Sequence, residues 1–330
     1  MSDTPHTITA IVVEGGKGPP EALRPQMIPM PIPASNQMLV RVAAAGVNRP
    51  DLLQRKGVYP PPHGAPDTLG LEISGEVVAL GEGATRWRIG DRVCALLGGG
   101  GYAEYAVVDA RHALPVPDSL DLIAAAGLPE TVFTVFANLF ERGNLKAGET
   151  VLIHGATSGI GVTAIALAKA AGARVITTSR GPTKTAQART LGADLAIDSY
   201  AEDFADVVRR EGGADVVLDM VGGDFTQRNI DVLKLEGRLT QIAFQSGAKL
   251  SLDLTPLLVK RLTFTASTLR PRSADEKARL AREIEARIWP WIVSGQVRIP
   301  VDRVFPLAEA GAAHAYLEVG QQVGKVILKT

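Results

Sequence analysis

The residues best suited to do chemistry lie in Val151–Gly172, VLIHGATSGIGVTAIALAKAAG. An apolar run (Val151, Leu152, Ile153) ends in a glycine-rich turn, and the turn opens directly into an apolar helix expected to begin near Ile160. Gly155, Gly159 and Gly161 omit side chains where a pyrophosphate would approach backbone N–H groups. The helix start adds the positive end of its dipole. The spacing is G-x-x-x-G-x-G, and strand, turn and helix together predict a phosphate cradle for a nucleotide.

The end of the next strand selects the nucleotide. An Asp or Glu there binds a ribose 2′-hydroxyl and repels a 2′-phosphate. This strand ends Thr177-Thr178-Ser179-Arg180, with no carboxylate, and Lys184 follows one turn later. Ser179, Arg180 and Lys184 therefore form the expected 2′-phosphate site, and NADP(H) is expected over NAD(H). The plainer alternative is that both cations are ordinary surface charges.

The elements that must hold this cradle alternate. After it come strand 174–178, helix 184–191, strand 195–198, helix 205–211, strand 215–220, helix 226–232 and strand 237–242. Alternation of this kind implies right-handed crossovers and a parallel sheet covered on both faces, a Rossmann layout. Glycines at 192, 212–213 and 222–223 punctuate it. Residues 261–268, RLTFTAST, read as the last strand, at a sheet edge, where a second copy could pair. Residues 274–293 read as an amphipathic helix with Glu and Arg at i,i+4 on a solvated face.

Before the cradle the texture is different. Short strands over 8–13 and 38–47, a strand pair over 69–80, and strands over 91–97 and 102–108, divided by glycine turns, predict a small β-rich domain shaped as a partly open barrel. Residues 50–66 hold five prolines with Tyr59 among them and read as a long irregular loop, neither helix nor central strand. Strands at 301–305 and 323–328 rejoin this first part.

Composition bounds the function. The chain has 330 residues, 46% hydrophobic, with 35 basic and 35 acidic residues, so no broad basic field speaks for nucleic acid as the main partner. One cysteine, Cys94, builds neither a disulfide framework nor a thiolate metal cage, and a reducing cytoplasm is expected. The N-terminus lacks a basic-then-apolar signal pattern, and no apolar run reaches the roughly 18 residues of a membrane span. His6, His63, His112, His154 and His314 show no metal-ligand spacing.

The order of parts resembles the medium-chain dehydrogenase/reductase superfamily over nearly the whole chain. The resemblance is carried by GEGATRWRIGDRV (Gly81–Val93), LPETVFTVF (Leu128–Phe136), the HGATSGIG cradle and the C-terminal GKVILK. GVNRPDLLQRKGVYPPP (Gly46–Pro62), LGLEISGEV (Leu69–Val77) and LLVKRLTFTASTLR (Leu257–Arg270) are similar to its quinone oxidoreductase class, in particular the p53-inducible type. Short-chain reductases share the cradle, but they begin with it and carry a Tyr-x-x-x-Lys pair. Here Tyr200 is followed by Phe204 and Tyr316 by Gly320.

The resemblance implies a Rossmann domain over 126–274 and a GroES-like substrate domain formed by 1–125 and 275–330. At the positions where zinc alcohol dehydrogenases place Cys, His and Cys, this chain has Asn48, Leu71 and Glu130, so no zinc is expected. Without metal to polarise a carbonyl, hydride must go to an acceptor that is already electron-poor. The expected function is zinc-independent NADPH:quinone reduction, with an enone or enoyl ester as the alternative acceptor. An RNA-binding, zeta-crystallin-like role is the reading from another class.

The resemblance also assigns residues. Asn48 and Tyr59 line the acceptor cleft, though Asn48 could cap a turn and Tyr59 could pack in its loop. Thr134 contacts the nicotinamide side, or caps a helix. Ser158 lies near the phosphates, or caps its helix, and Phe244 and Leu269 close the pocket. Lys325 belongs to the GKVILK motif on the cofactor's side. Relatives carry an adenine-stacking tyrosine directly after an Asn, whereas this chain reads Asp198-Ser199-Tyr200, and Tyr200 is the substitute. A homodimer through the edge strand is expected.

Overall fold

In the computed structural model, which describes residues 6–330, the chain divides into two compact units, one of residues 6–133, 270–293 and 299–330, the other of 134–269 and 294–298. The reading of the N-terminus as lacking a signal pattern draws on residues 1–5, which lie outside the described residues.

In the first unit, β1 (Thr7–Val13) pairs antiparallel with β2 (Leu23–Pro29), a strand the sequence reading missed because Pro25 and Pro29 interrupt it. Both prolines are tolerated because the pair is only two strands wide. The main sheet of the unit is built on β3 (Gln37–Val47). A short helix follows it, α1 (Arg49–Arg55), and then β4 (Glu72–Leu80), β5 (Arg92–Leu96), β6 (Tyr105–Asp109) and β7 (Ala113–Pro115).

The helix α1 corrects the expectation of a loop from residue 50 onward. Pro50 stands in the first turn, where its missing N–H would have had no intrahelical partner, so it starts the helix instead of breaking it. The stretch expected as a strand pair over 69–80 is one strand, β4, paired to β3 on one side and β5 on the other.

Two short helices come next, α2 (Leu122–Ala125) and α3 (Pro129–Val135). The second unit then alternates β8 (Thr150–His154), α4 (Gly159–Ala170), β9 (Arg174–Ser179), α5 (Pro182–Thr190), β10 (Leu195–Asp198), α6 (Phe204–Arg210), β11 (Ala214–Asp219), α7 (Phe225–Val232) and β12 (Leu233–Gln241). A short helix α8 (Thr255–Val259) leads to β13 (Thr263–Ala266).

The strand order is β10-β9-β8-β11-β12-β13, all parallel. Chain order reverses direction on either side of β8, the doubly wound arrangement in which ligands bind beyond the carboxyl end of the central strand. β13 is the edge strand, as its position last in sequence led one to expect. Leu152, Ile176, Val217 and Leu239, from four neighbouring strands, share one core with Phe204 and Ile230 of the covering helices.

The chain closes the first unit with α9 (Ala274–Arg287), α10 (Trp289–Val293), β14 (Val301–Pro306), α11 (Ala310–Val319) and β15 (Lys325–Lys329). β15 inserts beside β3, giving the order β14-β15-β3-β4-β5-β7 with β6 also on β3. The last residues of the chain thus lie against its first long strand, where Val326, Leu328, Val40 and Ala45 share a core. The fold is α/β, a Rossmann-type parallel sheet accompanied by a separate, largely antiparallel β domain.

Candidate active site and cofactor cradle

The cradle begins where β8, buried along its whole length, reaches Gly155. Gly155 has φ 73°, which an L side chain resists, and its N–H and that of Ala156 both donate to Thr178 O at 3.1 Å. A Cβ on Gly161 would stand 2.2 Å from Gly155 O, so the turn and the helix meet with no room for a side chain. Helix α4 starts at Gly159, and the N–H groups of its first turn, Gly159 and Ile160 among them, lack intrahelical acceptors by construction. Ser158 is the N-cap: its Oγ accepts from Gly161 N at 3.0 Å and donates to Gly155 O at 2.8 Å. The capping alternative is therefore realised for Ser158.

At the end of β9, the hydroxyls of Thr177 and Ser179 are buried without a hydrogen-bond partner among the described residues. Orphaned buried donors of this kind cost free energy unless a ligand uses them. Arg180 beside them is exposed. Lys184, on the first turns of α5, has its pKa lowered by burial and by the nearby Arg180 charge. A cation whose charge is disfavoured by a neighbouring cation marks a place where an anion is welcome. One carboxylate missed by the sequence reading also reaches this corner. Asp198, paired with Ser179 across β10 and β9, accepts from Gly181 N at 2.8 Å and Tyr200 N at 3.0 Å. Tyr200 itself is 75% exposed, a free ring surface.

Phe244, just past β12, is partly exposed, and its ring lies where a Cβ on Gly222 would be 2.8 Å away. Leu269 is buried, and Thr134 accepts the Asn138 side-chain amide on its main-chain oxygen at 2.8 Å. The second unit thus holds Thr134, Gly155, Ser158, Gly159, Ile160, Gly161, Ser179, Arg180, Lys184, Tyr200, Phe244 and Leu269. The first unit holds Asn48, Tyr59 and Lys325.

Asn48 joins β3 to α1. Its main-chain N–H donates to Asp51 Oδ2 at 2.8 Å, so Asp51 caps the helix, and Asp51 Oδ1 accepts from Gly70 N at 3.1 Å. Burial pushes the Asp51 carboxyl up to about 6, against those two N–H bonds and the Lys325 charge. The side-chain amide of Asn48 is held at both ends. Lys325 Nζ donates to its Oδ1 at 2.6 Å, and its Nδ2 donates to Glu72 Oε1 at 2.8 Å. Lys325 and Glu72 also pair directly at 2.7 Å, both fully enclosed.

Glu130, on α3, donates its main-chain N–H to Glu72 Oε2 at 2.8 Å. Its own carboxyl is raised to about 8, first by burial and then by the Glu72 and Asp51 charges. Tyr59 is half-buried; burial and then the Glu130 charge raise its hydroxyl, while Arg270 lowers it. The Arg270 guanidinium lies 5.4 Å from the Tyr59 ring centroid and holds Gly98 O and Gln54 Oε1. Its Nη1 is buried with no partner among the described residues.

Glu72, Asp51 and Arg270 escaped the sequence reading. Glu72 carried the best signal, a carboxylate opening a strand between Leu71 and Ile73. Cys94 is a buried strand residue whose thiol is pushed up by burial, as a small hydrophobe would be. Among the described residues no three His, Cys, Asp or Glu side chains are grouped to hold a metal ion.

Two family models match the chain: an alcohol dehydrogenase GroES-like domain over residues 34–118 and a zinc-binding dehydrogenase over 191–328. A quinone oxidoreductase of Pseudomonas aeruginosa is 33% identical over 315 residues, 94% of this chain and 96% of that protein. A quinone oxidoreductase of Escherichia coli, solved in complex with NADPH, superposes with a TM-score of 0.86 at 29% identity, covering 98% of this chain and 100% of that one. CurK enoyl reductase gives a TM-score of 0.86 at 26% identity, covering 98% and 99%. The chain is also 32% identical over 300 residues to a mycocerosic acid synthase-like polyketide synthase of Mycobacterium tuberculosis, spanning 14% of that protein's length. Full-length coverage of the quinone oxidoreductases at this identity, on the fold described above, makes the chain an oxidoreductase of the medium-chain dehydrogenase/reductase superfamily.

Proposed function

We propose that this protein is a zinc-independent NADPH-dependent reductase of quinones. The observation that carries the reading is the ammonium of Lys325, lodged between Asn48 Oδ1 and Glu72 Oε1. Asn48, Leu71 and Glu130 occupy the three zinc-ligand positions of related alcohol dehydrogenases; Leu71 is buried and apolar, and the Lys325 ammonium already takes the Asn48 oxygen, so Glu130 alone retains a ligating group. A site without a ligand set for zinc leaves carbonyl polarisation to the substrate itself, which suits a quinone.

The residues of the cradle fit NADPH. Gly155, Gly159, Ile160 and Gly161 offer the pyrophosphate a tight turn and a helix start. The orphaned Ser179 hydroxyl with Arg180 and Lys184 offers donors to a 2′-phosphate. The bound nicotinamide would supply hydride. The chain's own part is to hold the acceptor: Asn48 and Tyr59 present hydrogen-bonding ends to its oxygen, while Thr134, Tyr200, Phe244 and Leu269 enclose the cofactor. The first unit serves the acceptor and the second the cofactor, in keeping with the division 1–125 and 275–330 against 126–274. A homodimer in the cytoplasm completes the reading; among the described residues no helix is long and apolar enough to cross a membrane.

The likeness to CurK enoyl reductase favours a second acceptor class, an enone or enoyl thioester. A panel of quinones, enones and enoyl-CoA esters with NADPH decides between them. We expect turnover with 1,4-naphthoquinone that survives exhaustive chelation. Required stoichiometric zinc, or turnover confined to enoyl esters, overturns the quinone reading. A salt-dependent gel shift with AU-rich RNA tests the binding-protein alternative, and no shift is expected.

A further inference from the structure

We infer that Lys325 and Glu72 are positioning residues that set the orientation of the Asn48 amide and polarise it toward the acceptor. The inference rests on the reading of Asn48 as an acceptor-binding residue.

An Asn side chain has two ends of nearly equal shape, one accepting and one donating. In this site charge decides which is which. An ammonium is only a donor, so Lys325 Nζ at 2.6 Å fixes Oδ1; an ionised carboxylate is only an acceptor, so Glu72 Oε1 at 2.8 Å fixes Nδ2. The backbone is held as well, by Asp51 on Asn48 N. The three side chains come from β3's end, β4 and β15, adjacent strands of one sheet, so the geometry is tied to rigid elements.

The sheet has been shaped around the pair. A Cβ on Gly46 would stand 2.0 Å from Glu72 Oε1, and a Cβ on Gly127 would stand 2.9 Å from Lys325 Cγ. Two positions thus omit side chains to admit an ion pair into a dry interior, although apolar residues of similar volume are often as stabilising there. Stability alone gives no reason for the arrangement. Polarising Asn48 does, because a cation on Oδ1 draws electrons from the amide and strengthens Nδ2–H as a donor. Beyond Glu72, that nitrogen meets only Gly46 O among the described residues, at a long 3.4 Å. A donor fixed before negative charge arrives on the acceptor's oxygen has no reorganisation left to do. The assignment moves Lys325 from the cofactor to the acceptor side of the reaction.

The test is a double-mutant cycle. The pair replacement K325M/E72Q removes both charges of the ion pair together. It is made alone and on N48A, with quinone kcat and KM, NADPH affinity by fluorescence, and the side-chain amide signals of Asn48 by NMR, identified by their loss in N48A. N48A alone tests the underlying reading: unchanged kinetics there sinks Asn48 as an acceptor residue, whatever the pair does. The inference expects the pair to lower kcat about three- to tenfold, no more than N48A does, and to have less than about a twofold effect on the N48A background. The Asn48 amide protons should shift in the pair variant and NADPH affinity should hold. Equal effects on both backgrounds, a wild-type kcat, or a lost NADPH affinity each overturn it. Should the pair variant fail to fold, E72Q alone takes its place under the same criteria.

Discussion

The main-chain N–H of Glu130 donates to the Glu72 carboxylate at 2.8 Å, and this brings the Glu130 carboxyl under the charge of the group it binds. Burial and that charge raise its pKa from 4.5 to about 8. The folded protein therefore binds a proton more tightly than the unfolded chain between those values, and stability falls as pH rises through that window. Glu130→Gln keeps the shape and removes the ionisation. Urea unfolding at pH 5 and pH 8.5 should show E130Q close to wild type at the lower pH and more stable at the higher, by on the order of a few kcal/mol. A stability difference independent of pH would remove the argument.

Acid acts on another buried group with the opposite sign. His314, enclosed between Arg55 and the Tyr102 hydroxyl, is held down to about 3 by burial and then by the Arg55 charge. Its contribution is present above its ordinary value of 6.5 and is lost as pH falls toward 3. Between pH 6.5 and pH 4 this loss opposes the gain from the Glu130 carboxyl, so the thermal midpoint of His314→Gln should rise relative to wild type as the pH falls through that window.

Replacing Arg180 and Lys184 by Ala should weaken NADPH far more than NADH. A charge-assisted bond to phosphate is worth roughly 1.5–3 kcal/mol, reduced where solvent screens it, so a loss of about ten- to a hundredfold in NADPH affinity is expected. Titration of both cofactors by fluorescence measures it. Equal weakening of the two would leave these cations as ordinary surface charges.

Tyr59→Phe and Asn48→Ala should each lower quinone kcat/KM by a factor of about two to ten, the value of one orienting hydrogen bond at about 0.5–1.5 kcal/mol. NADPH affinity should stay near wild type. A loss of about a hundredfold or more in Tyr59→Phe would make its hydroxyl a proton donor instead.

The edge strand β13 carries unpaired backbone groups and a partly exposed Phe264, and Leu258 and Val259 of α8 nearby are exposed. An apolar edge of this kind is covered or it aggregates. Light scattering at micromolar concentration should return a two-fold dimer, and Phe264→Pro, which removes an N–H on the open side of β13, should shift it to monomer.

The sequence by itself determined the alternation of the second unit. Apolar runs of strand length, glycine breaks and helical periodicity are local signals, and β8 to β12 fall where they predict. It determined the cradle for the same reason, since Gly155, Ser158 and Gly161 act within a single turn. Pro50 misled because a proline's meaning depends on its place in the helix, and that place was set by Asp51 capping Asn48. Only the tertiary structure decided the partners of Asn48. Glu72 is 24 residues away and Lys325 277 residues away, joined because β15 inserts beside β3 and β4 pairs on its other side. Strand neighbours of that separation leave no periodic trace, and a buried charge declares its role only once its counter-charge is in place.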